Sequence, residues 1–404
     1  MTSTTEQMRA WNGPALFSFG FRPFFLLGAI WAALAMAIWI VMLSGRDPLP
    51  TAFDAVSWHA HEFLFGYLGA VMAGFLLTAV PNWTGRLPVV GKPLALLVGL
   101  WLIGRIAIAI SGWMPWPLAA GLDLAFPLAL LALLAREILS GKNWKNLIVL
   151  GLVALWTLAN LGFHIDAARG GYPAQGAGLR FGLAAAVMLI SVIGGRIVPS
   201  FTRNWLVQRR ETRLPAPMGK GDRLVLFVSG FTLILWALWP HEAVTALATA
   251  LAGAAHLWRL SRWKGWLCGG EALVWVLHMG YAFVPIGFLA IAGGYLWPGM
   301  AAASQHLWMA GAVGLMTLAV MTRASLGHSG RPLHATKPIA ALYIALIVAV
   351  LARFLSGALP GEMWPLHLAG TAWILAFGGF AVIYAPMLAF TRPAQKRAMP
   401  RAKA

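Results

Sequence analysis

Stretches of about twenty apolar residues, the length that crosses the hydrocarbon of a bilayer, recur from one end of this chain to the other. Twelve can be laid down, near 22–43, 58–81, 92–111, 117–139, 144–166, 177–200, 222–240, 242–260, 270–296, 302–324, 336–356 and 365–391. In lipid each must satisfy its own backbone groups, and only a helix does so within one segment. The expected fold is therefore all-α, a polytopic transmembrane helix bundle of about twelve spans. A charged fraction of 10% agrees, because soluble domains carry about a quarter. The longest polar connection, Arg203 to Arg223, is too short to fold alone. A single transmembrane domain over 1–404 is expected, with short cytoplasmic tails at 1–15 and 392–404.

A formal net charge of +18 would suggest nucleic acid in a soluble protein, but here the cations map onto one side. The tails and even-numbered connections hold Arg9, Arg86, Lys92, Arg136, Lys142, Lys145, the basic run from Arg203 to Arg223, Arg259, Arg262, Lys264, Arg331, Lys337 and the Arg392–Lys403 cluster. The odd-numbered connections hold Arg46, Arg169 and Arg353. This asymmetry makes the basic side cytoplasmic, with both termini inside. The partner implied is the lipid bilayer, and nucleic acid drops out. Cys268, the sole cysteine, excludes intramolecular disulfides, a cysteine-ligated zinc site and a CxxCH haem attachment. The opening residues lack a basic front followed at once by a short apolar core, so no cleaved signal peptide is expected.

Span two begins with two histidines and a glutamate, in the stretch from Trp58 to Arg86. Shifting it by 245 positions sets His61 on His306, Gly66 on Gly311, Gly69 on Gly314 and Gly85-Arg86 on Gly330-Arg331. Span six shares Val198-Pro199 with Val80-Pro81, and Arg196 falls where Arg323 sits in span ten. Related helices at every fourth position suggest three related four-helix units. By helix count and histidine placement this resembles the catalytic subunit of haem–copper oxidases, an analogy of architecture only.

Histidines inside spans then become candidate ligands. Imidazole suits iron, copper and zinc, and histidines on two facing helices commonly hold haem iron. His61 and His306 are the first choice for cofactor binding, with His59, His164 and His278 as further candidates. Residues two apart on a helix point roughly 200° apart. His59 and His61 therefore serve two neighbouring cofactors, or only one of them ligates. Glu62 can orient a ligating imidazole, carry protons, or pair with an interfacial cation. Arg22 and Arg180 are candidates for pairing haem propionates at the outer surface. Arg105 is a further cation inside a span. Arg196 and Arg323 read as snorkelling side chains, and His241, His334 and His367 as helix-end hydrogen bonders. Most tryptophans mark the interfacial belts, and the dispersed methionines fill the core.

Four strings, FSFGFRPFFLLG (Phe17–Gly28), WHAHEFLFGYLGAVMAGFLLTAVPNWTG (Trp58–Gly85), GGRIVPSFTRN (Gly194–Asn204) and MTRASLGHSGR (Met321–Arg331), resemble the NnrS family of bacterial membrane proteins over nearly the whole chain. The resemblance implies a multi-pass protein of the bacterial inner membrane that contains haem and copper. It also implies a link to denitrification and to resistance to nitric oxide. Motif positions His59, His61, Glu62, Arg22, Arg196, Arg323 and His328 are the recurrent polar features of those strings, which adds His328 to the metal candidates.

The function expected is a haem- and copper-containing membrane protein that binds or processes nitric oxide, or protects against nitrosative stress. The alternative is a secondary transporter, which twelve spans and glycine-rich helices also fit, although Asp123 is the clearest acidic residue within a span. A haem-based sensor or assembly factor without turnover is a third reading. No quinol site or soluble redox domain marks an electron donor, so enzyme status stays open at this stage. The charge asymmetry makes one direct prediction. A fluorescent protein fused after residue 404 should be fluorescent, and alkaline phosphatase fused there should be inactive; the reverse pattern would invert the topology.

Overall fold

The computed structural model describes residues 11–86 and 88–390. The Arg392–Lys403 cluster and most of the expected N-terminal tail lie outside them. Among the described residues, twelve helices are long and apolar enough to cross a membrane, and there are no strands. They are α1 (Phe21–Leu43), α2 (Ala55–Thr84), α3 (Lys92–Ala109), α4 (Trp116–Ser140), α5 (Trp144–Ala168), α6 (Ala177–Gln208), α7 (Lys220–Leu238), α8 (Ala243–Ser261), α9 (Ala272–Gly294), α10 (Pro298–His328), α11 (Lys337–Ala358) and α12 (Trp364–Phe390). Each overlaps one apolar stretch of the sequence. The largest departure is α6, which runs to Gln208 and so shortens the polar connection before α7 to 209–219.

Three helices form the centre. The most apolar windows of α2, α6 and α10 are 83%, 72% and 72% buried, against 33–61% for the other nine. Helices of a bundle in lipid gain little from hydrophobic burial against one another and depend on close packing and hydrogen bonds. Consecutive helices pair accordingly, with α11 on α12, α5 on α6 and α8 on α9, and α12 closes back onto α1. At α5–α6 the approach requires glycine. A Cβ on Gly178 would lie 2.4 Å from the Phe163 nitrogen and 2.7 Å from the Gly162 carbonyl carbon.

The 245-residue shift is visible in the backbone. Immediately after His61, α2 widens into a π-helical segment, Glu62–Tyr67, and immediately after His306, α10 does the same over Leu307–Leu315. Gly85 and Gly330 both adopt left-handed conformations, with φ of 71° and 69°; Gly85 caps α2, and Gly330 directly follows Ser329, the cap of α10. That geometry favours glycine because it has no Cβ. Helix α6 shares the central position but is α-helical throughout and runs past the point where its counterparts stop.

Widening a helix leaves carbonyls without their usual partners, and in lipid those must be supplied from elsewhere. Trp156 of α5 donates its indole N–H to the Leu64 carbonyl (3.1 Å), and Trp101 of α3 donates to that of Gly66 (2.9 Å). In α10, the Thr317 hydroxyl lies within hydrogen-bond distance of the Val313 and Gly314 carbonyls (2.7 and 2.8 Å).

The Gly162/Gly178 contact gives a packing prediction. Gly178→Ala should destabilise the bundle by about 1–3 kcal/mol through overpacking, whereas Gly151→Ala, with open space at its Cβ position, should be tolerated. Thermal unfolding of both variants in detergent tests this.

Candidate metal and cofactor centre

Asp54 starts α2: its carboxylate accepts from the backbone N–H groups of Val56 (3.0 Å) and Ser57 (2.9 Å), a standard N-cap. His59 and His61 therefore lie early in a regular helical stretch and point to different sides of it. Two separate sites result, both at the end of the bundle opposite the described start of α1.

The first is a cavity of about 350 Å³ between α1, α2, α6, α10, α11 and α12. His59 and His306 both line it, their rings nearly parallel (13°) with centres 6.3 Å apart. His306 Nδ1 lies 2.7 Å from the Ala302 carbonyl, one turn earlier in its own helix, which fixes a donor there and leaves Nε2 as the lone-pair nitrogen. His59 stacks on Trp39 (4.5 Å) and has a buried Nδ1 without a hydrogen-bond partner. One metal bound to two imidazoles through bonds of about 2 Å sets the ring centres roughly 6 Å apart, which is the separation of this pair. The walls are otherwise apolar, with Trp39, Phe63, Tyr67 and Trp373 prominent, and Arg353 of α11 is the charged lining residue. His59 and His306 would be the residues to hold a haem there, with apolar walls for the ring and the Arg353 guanidinium for a carboxylate substituent.

The second site is a fully buried polar group at the junction of α2, α3, α4 and α5. His61 Nδ1 lies 3.0 Å from Glu62 Oε1, and its Nε2 lies 3.2 Å from Asp123 Oδ2 and 3.1 Å from Asn160 Oδ1. His164 Nε2 lies 3.1 Å from the same Asp123 oxygen, to which Asn160 Nδ2 donates at 2.7 Å. Arg105 donates to both Glu62 and Asp123. Its guanidinium lies over Gly66, where a Cβ would come within 2.5 Å of Nη1, so the glycine makes room for the cation.

With neutral imidazoles this group holds two carboxylates against one guanidinium, one negative charge in excess. Glu62 Oε2 is buried and makes no hydrogen bond. An uncompensated charge is costly in a membrane interior, and one more cation, a proton on an imidazole or a metal ion, neutralises it. One ligand atom each from His61, Asp123 and His164 lies within 4.8 Å of the others, a spacing compatible with one ion.

These positions separate residues that the sequence had grouped. The ring facing His306 is that of His59, because His61 turns to the other side of α2 and reaches Asp123. Arg22 was expected near the outer face, yet it bonds the Ala15 and Leu388 carbonyls at the opposite end of the bundle. The reason is topological: Arg22 begins an odd-numbered helix, whereas His59 and His306 begin even-numbered ones. His328 is at that opposite end too, between Phe19 and Phe21 (5.5 and 5.4 Å), as is His278, 2.7 Å from Thr202 Oγ1. Arg180 is at the correct end, but donates to the Ala237 and Gln175 carbonyls. Arg196 donates to Asn146 (2.7 Å), and Arg323 lies over the Phe201 ring. Asn160 and Arg353 were missed as site residues. Asn160 precedes His164 by four positions, hence on the same helical face, a signal the sequence did offer.

A family model described as NnrS protein matches residues 15–392, nearly the whole chain, and the chain belongs to that family. No curated protein matches it.

The charge count at the second site makes a stability prediction. Arg105→Met leaves two buried carboxylates without their shared cation and should cost about 3–5 kcal/mol. A markedly lower unfolding midpoint in detergent is expected; an unchanged one would show that the ion pairs contribute nothing.

Proposed function

We propose that this protein holds a haem between His59 and His306 and a second metal, copper, at His61, Asp123 and His164, and that it binds or processes nitric oxide or protects the cell from it. Family membership supports the nitric oxide link, and the observation that carries the cofactor reading is the facing pair His59 and His306 across an apolar cavity. When bound, haem would supply an iron centre that could take nitric oxide where one of the two imidazoles gives way. The residues of this chain do the rest. Ala302 orients His306 through Nδ1, Trp39 and Phe63 fix the His59 ring, and Arg353 offers a guanidinium to a carboxylate of the cofactor.

Arg105 and Asn160 hold Asp123, and Glu62 holds the far nitrogen of His61, so the second site is oriented before any ion arrives. Nitric oxide is neutral and partitions into lipid, so a site enclosed by membrane helices is accessible to it without an aqueous channel. The distribution of basic residues supports an inner-membrane location with cytoplasmic termini.

Absorption spectroscopy and metal analysis test the reading together. Protein from haem-replete cells should show a Soret band that shifts with nitric oxide, and His59→Ala or His306→Ala should lower haem content. His164→Ala should lower copper while leaving haem in place. Colourless wild-type protein, or full haem loading in both cavity variants, would reject the assignment. Substrate flux by metal-free protein in proteoliposomes would instead favour a secondary transporter.

A further inference from the structure

A second cavity, of about 90 Å³, lies between the three central helices α2, α6 and α10. Its lining is apolar except for Thr317, and includes Leu68 and Val71 of α2, Ala186 and Ile193 of α6, and Met316 of α10. Each helix contributes to both cavities at successive turns. Leu64 and Tyr67 line the large cavity and Leu68 and Val71 the small one; Leu183 is followed by Ala186, and Val313 by Met316 and Thr317. The small cavity is thus the continuation of the large one along the same three-helix seam, about one helical turn further on.

One polar contact joins a residue of each lining. Tyr67 OH, which lines the large cavity, and Thr317 Oγ1, which lines the small one, are 2.6 Å apart. On the far side, Phe75, Ile190, Ile193 and Val320 are only half-buried, so the small cavity opens away from the histidines toward the membrane-embedded surface. A void lined this way offers water too few partners and stays dry, while apolar atoms and small molecules enter it.

We propose that this cavity is a binding site for a small apolar gas and forms a stage on the path by which nitric oxide passes from lipid to the His59/His306 cavity. The path rests on the function proposed above; the gas site does not. The space suits a diatomic molecule or a xenon atom, and Tyr67 and Thr317 join the linings of the two cavities.

Crystals of the full chain under xenon pressure should show an anomalous peak among Leu68, Ala186 and Met316. Ala186→Phe should abolish it by filling the space, and Ile193→Trp should obstruct the open side. In haem-loaded protein, flash photolysis should show nitric oxide rebinding from outside slowed several-fold in either variant, with an unchanged Soret band. Leu128→Phe, on the outward face of α4, should leave the rate alone. Absence of xenon from the wild-type cavity would overturn the gas site, and equal rebinding rates in all variants would overturn the path. Protein without haem would reject the proposed function alone, because the xenon result decides the gas site independently.

Discussion

A membrane interior provides no water to satisfy a stray carbonyl, and this constraint organises the centre of the bundle. Helices α2 and α10 both leave α-helical geometry directly after a histidine, and the carbonyls of the widened turns are met by Trp101, Trp156 and Thr317. These donors come from α3, from α5 and from α10 itself. The widened turns of α2 are consequently fixed in place by neighbouring helices. They also create space: the larger cavity lies against both π segments, and local π geometry is frequent at functional sites.

The second consequence is the use of both sides of one helix. Because His59 and His61 diverge, α2 serves as the wall between an apolar cavity and a charged cluster. On one side imidazoles face each other across a space enclosed by aromatic rings. On the other, Glu62, Asp123 and Arg105 are concentrated where an isolated charge would be too costly to keep. The cluster is affordable only as a unit, since each carboxylate neutralises part of the guanidinium and the remaining negative charge calls for one more cation. Gly66 belongs to this arrangement for a steric reason, and its equivalent by the 245-residue shift, Gly311, accommodates Phe283 instead. The repeat therefore retains the backbone device and changes the chemistry beside it.

Several of these features were legible in the sequence. The twelve spans, the correspondence of α2 with α10 and the placement of histidines near their starts all follow from apolar run length and matched strings. The contribution of Asp123 was half visible, as the clearest acidic residue within a span, and Asn160 could have been found from its spacing to His164. Other features were not. Pairing His61 with His306 follows naturally from their matched positions, but equivalent positions on two helices need not face each other, and the side chain that crosses the gap is His59. Arg353 carried no signal at all: on paper it is one of three cations on the sparsely charged side, and only the packing of α11 on α10 and α12 brings it to the cavity.

Hydropathy alone determined that this chain is a membrane bundle, because apolar segments of bilayer length have a single low-energy way to satisfy their backbones. The matched strings likewise determined which two helices are related. Which histidine faces which partner was decided only by tertiary structure, since that depends on how each helix is rotated about its axis, and rotation is set by side-chain packing contributed from distant parts of the chain.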